Sequence, residues 1–255
     1  MLIELYRDAN HLCQVIAGRA VRGEIPTNPG LVVHGCHAAL IDPGGTVSFT
    51  RVRTQLNTHL RYLDYFIASH LDPDCIGALE QWLLENPRCK VVVPALWRPF
   101  LPHLCAPGLL EGRCECIPEE GGILPLGDAE LRALPAHFLH AQSTLHYHDP
   151  VARTLFTGDM GGALGDEVDA AVPVESLAPH LPALEAFHRR HMAGNKVCRL
   201  WVNMVRPLDL EWLVPHHGPP LHGRETINQF LDWLETLECG VDLLSEEDYR
   251  VPVAH

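Results

Sequence analysis

The 255-residue chain has 47% hydrophobic and 20% charged residues, an ordinary globular composition with enough apolar material for one α/β domain or a closely packed pair. Its 32 acidic residues against 19 basic ones give a formal net charge of -13. That balance argues against nucleic acid or an anionic membrane as partner, because no basic stripe exists to neutralise phosphates.

Residues 1–18 lack a basic segment followed by an apolar core, so no signal peptide is read there, and no apolar run reaches transmembrane length. Nine cysteines occur without a C-x-x-C pair, which argues against a zinc ribbon or a redox dithiol. Reduced thiols and a cytoplasmic location are the expectation.

Taken in order, Leu2 to Tyr6, Leu12 to Ala17 and Leu31 to Val33 read as short strands, and Ala38 to Ile41 as a strand entering the turn Pro43-Gly44-Gly45. His34 and His37 flank Gly35 and read as structural or surface residues. Tyr62 to Ala68 is an apolar run of strand length, rich in aromatic residues. Ile76, Leu79, Leu83 and Leu84 then recur at helical spacing until Asn86-Pro87. Between them, Ser69-His70-Leu71-Asp72-Pro73-Asp74-Cys75 places one His and two Asp on a loop from a strand end to a helix start. In α/β proteins ligands gather at that edge. Val91 to Val93 reads as a strand, Leu96 to Leu104 as a short helix despite its prolines, and Cys114 to Leu134 as strand-rich. The succession predicts two similar halves packed face to face.

Three more strand ends in the second half carry polar donors: His140 after Phe138-Leu139, Asp159 after Leu155-Phe156-Thr157-Gly158, and His216-His217 before Gly218-Pro219. Leu181 to Met192 and Lys196 to Val205 read as helices. Ile227, Phe230, Leu231, Leu234 and Leu237 mark an amphipathic helix stopped near Gly240, and Ser245 to His255 a loosely held end. A lone His on such a loop is usually a hydrogen-bonding residue, and Asp74 is placed to cap a helix. Six donors at matched positions, His70, Asp72, Asp74, His140, Asp159 and His217, are harder to explain as turns, and point to a metal site.

The order of these motifs resembles the metallo-β-lactamase superfamily, and within it the di-iron domain of flavodiiron proteins. The usual loop is H-x-H-x-D-H; flavodiiron domains have H-x-E-x-D-H, and His70-Leu71-Asp72-Pro73-Asp74-Cys75 keeps a carboxylate at the second place. Phe138-Leu139-His140, Leu155-Phe156-Thr157-Gly158-Asp159 and Pro215-His216-His217-Gly218-Pro219 extend the similarity over about Leu31 to Gly223. The resemblance implies a four-layer αβ/βα metallo-β-lactamase sandwich formed by residues 1–255 as a single domain, with no flavodoxin domain following. It implies that His70, Asp72 and His140 hold one metal, Asp74 and His217 the other, with Asp159 bridging; His216 falls to a supporting or surface place.

Two departures stand out: Asp72 is one methylene shorter than Glu, and Cys75 occupies the place of the loop's last His, where a thiolate ligand and a buried inert thiol both remain open. A carboxylate in place of an imidazole makes the site richer in oxygen, which favours iron over zinc. The expected cofactor is therefore two iron ions bridged by a carboxylate and an oxo or hydroxo group, with zinc as the alternative. Without a flavin domain to deliver electrons, the resemblance points to stand-alone oxygen-binding di-iron proteins: a sensor or carrier of O2, or an O2 or NO reductase fed by a separate redox partner. A signalling protein is a further expected partner, and a homodimer is left open. The rival readings are a di-metal hydrolase of a phosphodiester, thioester or lactone, and a degenerate member that only binds a partner.

Overall fold

The computed structural model describes residues 1–19, 25–165 and 167–252. The closely spaced N-terminal strands pair in sequence order as an antiparallel meander: β1 (Leu2–Arg7), β2 (His11–Ile16), β3 (Gly30–His34) and β4 (His37–Ile41). Helix α1 (Phe49–Leu56) then carries the chain over to β5 (Leu63–Ile67), the first parallel neighbour, as a parallel step requires a crossover. Helices α2 (Pro73–Ile76) and α3 (Leu79–Glu85) lead to β6 (Lys90–Pro94), and a 3-10 stretch, Ala95–His103, leads towards β7 (Cys114–Ile117), which completes a seven-stranded sheet.

At Gly121-Gly122 the chain passes to a second, six-stranded sheet of β8 (Gly122–Leu126), β9 (Ala129–Pro135), β10 (Leu145–Asp149), β11 (Thr154–Phe156), β12 (Trp212–Val214) and β13 (Leu221–His222). Its outer face carries α4 (Leu181–His191), α5 (Asn195–Val205) and α6 (Arg224–Thr236).

Strand alternation sorts the apolar side chains into three cores. Leu31 and Val33 face outward onto α1 and α3, joining Val52, Trp82 and Leu83. Val32, Ile67 and Val92 face inward and meet Tyr147, Phe156 and Val214 from the opposite sheet. Leu155 and Leu213 face the other way, onto Phe187, Trp201 and Phe230 of the second helical layer. Helix, sheet, sheet, helix is the four-layer sandwich expected, with two halves face to face.

Three local expectations are corrected. The helix after the His70 loop is two helices, α2 ending before Gly77 and α3 starting at Leu79, and only glycine fits the junction, where a Cβ would lie 2.3 Å from the Pro73 carbonyl oxygen. The Leu96–Leu104 helix is a 3-10 run, since Pro99 and Pro102 have no N–H to bond four residues back. The last helix stops at Thr236, short of Gly240: Asn195 donates its side-chain amide to the carbonyls of Glu235 and Leu237 at 3.1 and 2.8 Å and so satisfies that end. Residues 245–252 are exposed, while 253–255 lie outside the described residues. No helix among the described residues is long and apolar enough to cross a membrane.

Trp82 is fully buried and packs against Phe49 and Phe66 at ring distances of 4.6 and 5.4 Å. Trp82→Ala is therefore expected to lower stability in urea by about 3–5 kcal/mol. Leu84→Ala on the exposed face of the same helix should cost less than about 0.5 kcal/mol; equal losses would contradict this packing.

Candidate metal centre

The edge at which β5, β11 and β12 end is where the donors converge. Past Ile67, the Ser69 N–H donates to the Asp42 carboxylate at 2.7 Å, which pins the loop before it reaches α2. His70 is 1% exposed, and its Nδ1 meets the Ser69 hydroxyl at 2.9 Å, leaving Nε2 free to face the site. Asp72 is the N-cap of α2, yet its carboxylate makes no capping bond. The side chain turns to the site instead, with Oδ2 within 3.6 Å of His70 and His140. Asp74 is not the cap; it lies in the first turn of α2.

His140 sits on the loop between β9 and β10, which is tied to the His70 loop by the bond from Leu145 N–H to the Ser69 carbonyl at 2.9 Å. Asp159 and His217 follow β11 and β12, which are parallel neighbours, so their two loops emerge side by side. Glycines stand beside both for a conformational reason: Gly158 has φ +51° and Gly218 φ +82°, and a Cβ on Gly218 would lie 2.7 Å from the Ala163 carbonyl oxygen.

The six predicted residues all face one another. Nε2 of His70 and of His140 lie 3.6 and 3.3 Å from Oδ2 of Asp72. Asp159 Oδ2 lies 3.4 Å from His140 Nδ1, whereas its Oδ1 lies 3.6 Å from His217 Nε2. Asp74 Oδ2 stands 3.2 Å from His217 Nε2. Two ligand atoms bound to one ion at about 2.1 Å stand roughly 3.0–3.4 Å apart, so these spacings fit cations inserted between the pairs. Asp159 Oδ1 and His140 Nδ1 are buried with no hydrogen-bond partner, as groups awaiting a cation would be. Three donor groups emerge among the described residues, His70–Asp72–His140, Asp74–His216–His217 and Asp42–Cys75–His216; Asp159 Oδ2 faces His140, while its Oδ1 lies between His217 and His70. Cys75 is fully buried, 3.6 Å from His70 Nε2, and burial pushes its thiol pKa well up.

Electrostatics ties the cluster together. Burial opposes the charge on His70 and His217, but facing carboxylates prevail: Asp72 above all raises the His70 pKa to about 9, and Asp74 raises that of His217. Burial likewise opposes ionisation of Asp159 and Asp74, yet surrounding imidazoles hold both carboxyls below the usual range. His140 and His216 go the other way, lowered first by burial.

Several positioning residues carry no pattern in the sequence. Asn28 donates its amide to the carbonyls of Pro215 and Gly218 and thus clamps the His216-His217 turn. The Pro26 carbonyl accepts from His217 Nδ1 at 2.9 Å, which aims Nε2 at the site. His188, buried and lowered to about 4 by burial, donates to the Leu184 carbonyl and accepts the Gly161 N–H at 3.0 Å, fixing the turn after Asp159.

The cluster opens into a cavity of about 410 Å³ walled by Ile25, Val47, Leu164, Phe187 and His191. His191 stacks on Phe187 at 4.1 Å. His146, Tyr147 and His148 belong to β10: Tyr147 enters the core between the sheets, and His146 Nδ1 accepts from Trp201 Nε1 at 2.9 Å. None of the three lines the cavity. His34 and His37 lie apart, paired with Asp128 and Asp64 at 2.8 Å each.

The family model described as ODP family beta lactamase matches residues 25–218. A structure of the chemotaxis sensor ODP as a peroxy di-iron species is 32% identical, with a TM-score of 0.85 over 97% of this chain and 99% of that one. The apo state of the chemotaxis sensor ODP from T. denticola is also 32% identical, with a TM-score of 0.86 over 98% and 99%. Diflavin flavoprotein A 2 of Synechocystis sp. is 27% identical over 235 residues, and the chain spans 39% of that protein's length. The Flv1 flavodiiron core from Synechocystis sp. PCC6803, 19% identical with a TM-score of 0.72 over 91% of this chain and 60% of that one, shares the fold.

A cation entering this cluster must displace the proton that His70 holds up to about pH 9. Its ion pairs steady the metal-free protein below the ordinary histidine pKa, and that contribution fades as pH rises through about 9. Affinity for Fe(II) should therefore tighten by about tenfold per pH unit on rising from near-neutral pH towards 9. Anaerobic chelator competition at several pH values measures it, and a flat profile would contradict it.

Proposed function

This chain belongs to the ODP beta-lactamase family, and from that premise we propose that it is a non-haem di-iron protein that binds O2. The observation that carries the reading is Asp159, a 4% exposed carboxylate with Oδ2 3.4 Å from His140 Nδ1 and Oδ1 between His217 Nε2 at 3.6 Å and His70 Nε2 at 4.0 Å. His70, Asp72 and His140 would hold one iron, Asp74 and His217 the other, and Asp159 would bridge them. Three carboxylates among three imidazoles form a hard, anionic set that suits iron better than a site crowded with imidazoles does. Iron held there would supply reducing equivalents to a diatomic ligand.

The chain's own residues set the conditions. Ser69 and Pro26 fix the faces of His70 and His217 through the second nitrogen of each ring. Ile25, Val47, Leu164 and Phe187 line the approach with apolar surface, which an uncharged diatomic gas crosses without loss of solvation. The described residues that line the cavity include no Lys or Arg of the kind that grips a phosphodiester. A sensor or carrier is favoured by the match to a chemotaxis sensor over nearly the full length of both chains. Turnover as an O2 or NO reductase would need an electron donor, for which we propose a redox protein. A signalling partner and a cytoplasmic location belong to the same proposal.

Iron-loaded, anaerobically reduced protein should develop a new charge-transfer absorption on exposure to air; an unchanged spectrum would contradict gas binding. His140→Ala and Asp159→Ala should lower bound iron from about two per chain to about one or fewer, as read by elemental analysis. Cys75→Ser should keep both, and loss of an iron in that variant would make the thiol a ligand.

A further inference from the structure

The two iron positions just proposed are unequal. His70 and His140 give two imidazoles to one, while His217 alone serves the other. His216 stands beside the poorer position. Its ring is 2% exposed and meets His217 edge to face at 4.8 Å. Its Nε2 lies 3.3 Å from the Asp74 main-chain carbonyl and 3.9 Å from Asp74 Oδ2, while its Nδ1 is buried with no hydrogen-bond partner. Asp74, His216 and His217 each bring a ligand atom within 4.8 Å of the others.

A neutral imidazole has one N–H and one lone pair. The neighbours of Nε2 are acceptors. With the proton on Nε2, the Nδ1 lone pair has no donor; with the proton on Nδ1, the Nε2 lone pair faces oxygens. Either tautomer leaves a lone pair unmatched, and a cation is what would fill it. Cys75 and Asp42 also bring ligand atoms within 4.8 Å of a His216 ring nitrogen, but the thiol makes its contacts with His70 and Nδ1 stays without a hydrogen-bond partner. We infer that His216 is a further ligand of the metal held by Asp74 and His217, so that each iron receives two imidazoles. The inference rests on the di-iron reading and extends it.

The test is anaerobic Fe(II) titration of the full chain with a competing chelator, reading the second equivalent in wild type, His216→Gly and His216→Gln. Retained apo secondary structure by circular dichroism checks folding. Both variants should weaken the second equivalent at least about tenfold and leave the first in place. Added imidazole should restore His216→Gly to within about threefold, whereas pyrrole, which keeps the N–H but has no basic lone pair, should not. An unchanged second equivalent in either folded variant would overturn the inference, as would equal rescue by pyrrole or rescue by neither molecule. If His216→Gly fails to fold, the His216→Gln titration decides alone. Wild type that binds fewer than two irons would instead sink the di-iron reading itself, so the two failures are distinguishable.

Discussion

Asp159 is a carboxylate 4% exposed, with one oxygen that no hydrogen-bond donor reaches. A charge taken that far from water has to be met by opposite charge, or it gives up its ionisation. Imidazoles meet it from three loops, His217 first, then His70 and His140, and they hold the carboxyl below its ordinary pKa even though burial pushes the other way. In the metal-free chain the protons on these rings stand where cations would stand. The cluster is therefore a set of mutually dependent charges, and the removal of one member leaves the others buried without compensation.

The sandwich delivers that set. β11 and β12 run parallel and side by side, so Asp159 and His217 leave one sheet together, while His70 leaves the facing sheet at the end of β5. Secondary contacts then set the angle of each donor: Ser69 behind His70, Pro26 behind His217, His188 behind the turn after Asp159. The dry cores on either side keep these loops from drifting, because each strand that ends at the site is packed on both faces.

Much of this was legible in the residues. Apolar runs of strand length marked most of the strands, and His or Asp beside Gly at strand ends marked the convergent loops, since Gly158 and Gly218 adopt positive φ there. What escaped was what depends on long-range approach. Asn28 reaches Pro215 and Gly218 across nearly the length of the chain, and no local pattern announces such a clamp. The close approach of Gly77 to the Pro73 carbonyl where α2 gives way to α3, and the Asn195 side chain that meets the end of α6, are likewise contacts that helical periodicity does not register. His216 illustrates the same limit. Two adjacent histidines look interchangeable in sequence, and only their surroundings separate one aimed by a main-chain carbonyl from one left with an unmatched nitrogen.

The most direct measurement is anomalous diffraction at the iron edge from crystals grown anaerobically with Fe(II). Two anomalous peaks roughly 3.5–4 Å apart, one on either side of the Asp159 carboxylate, are what this account requires. A single peak, or peaks located only at the outlying histidine–carboxylate pairs such as His34–Asp128, would contradict it.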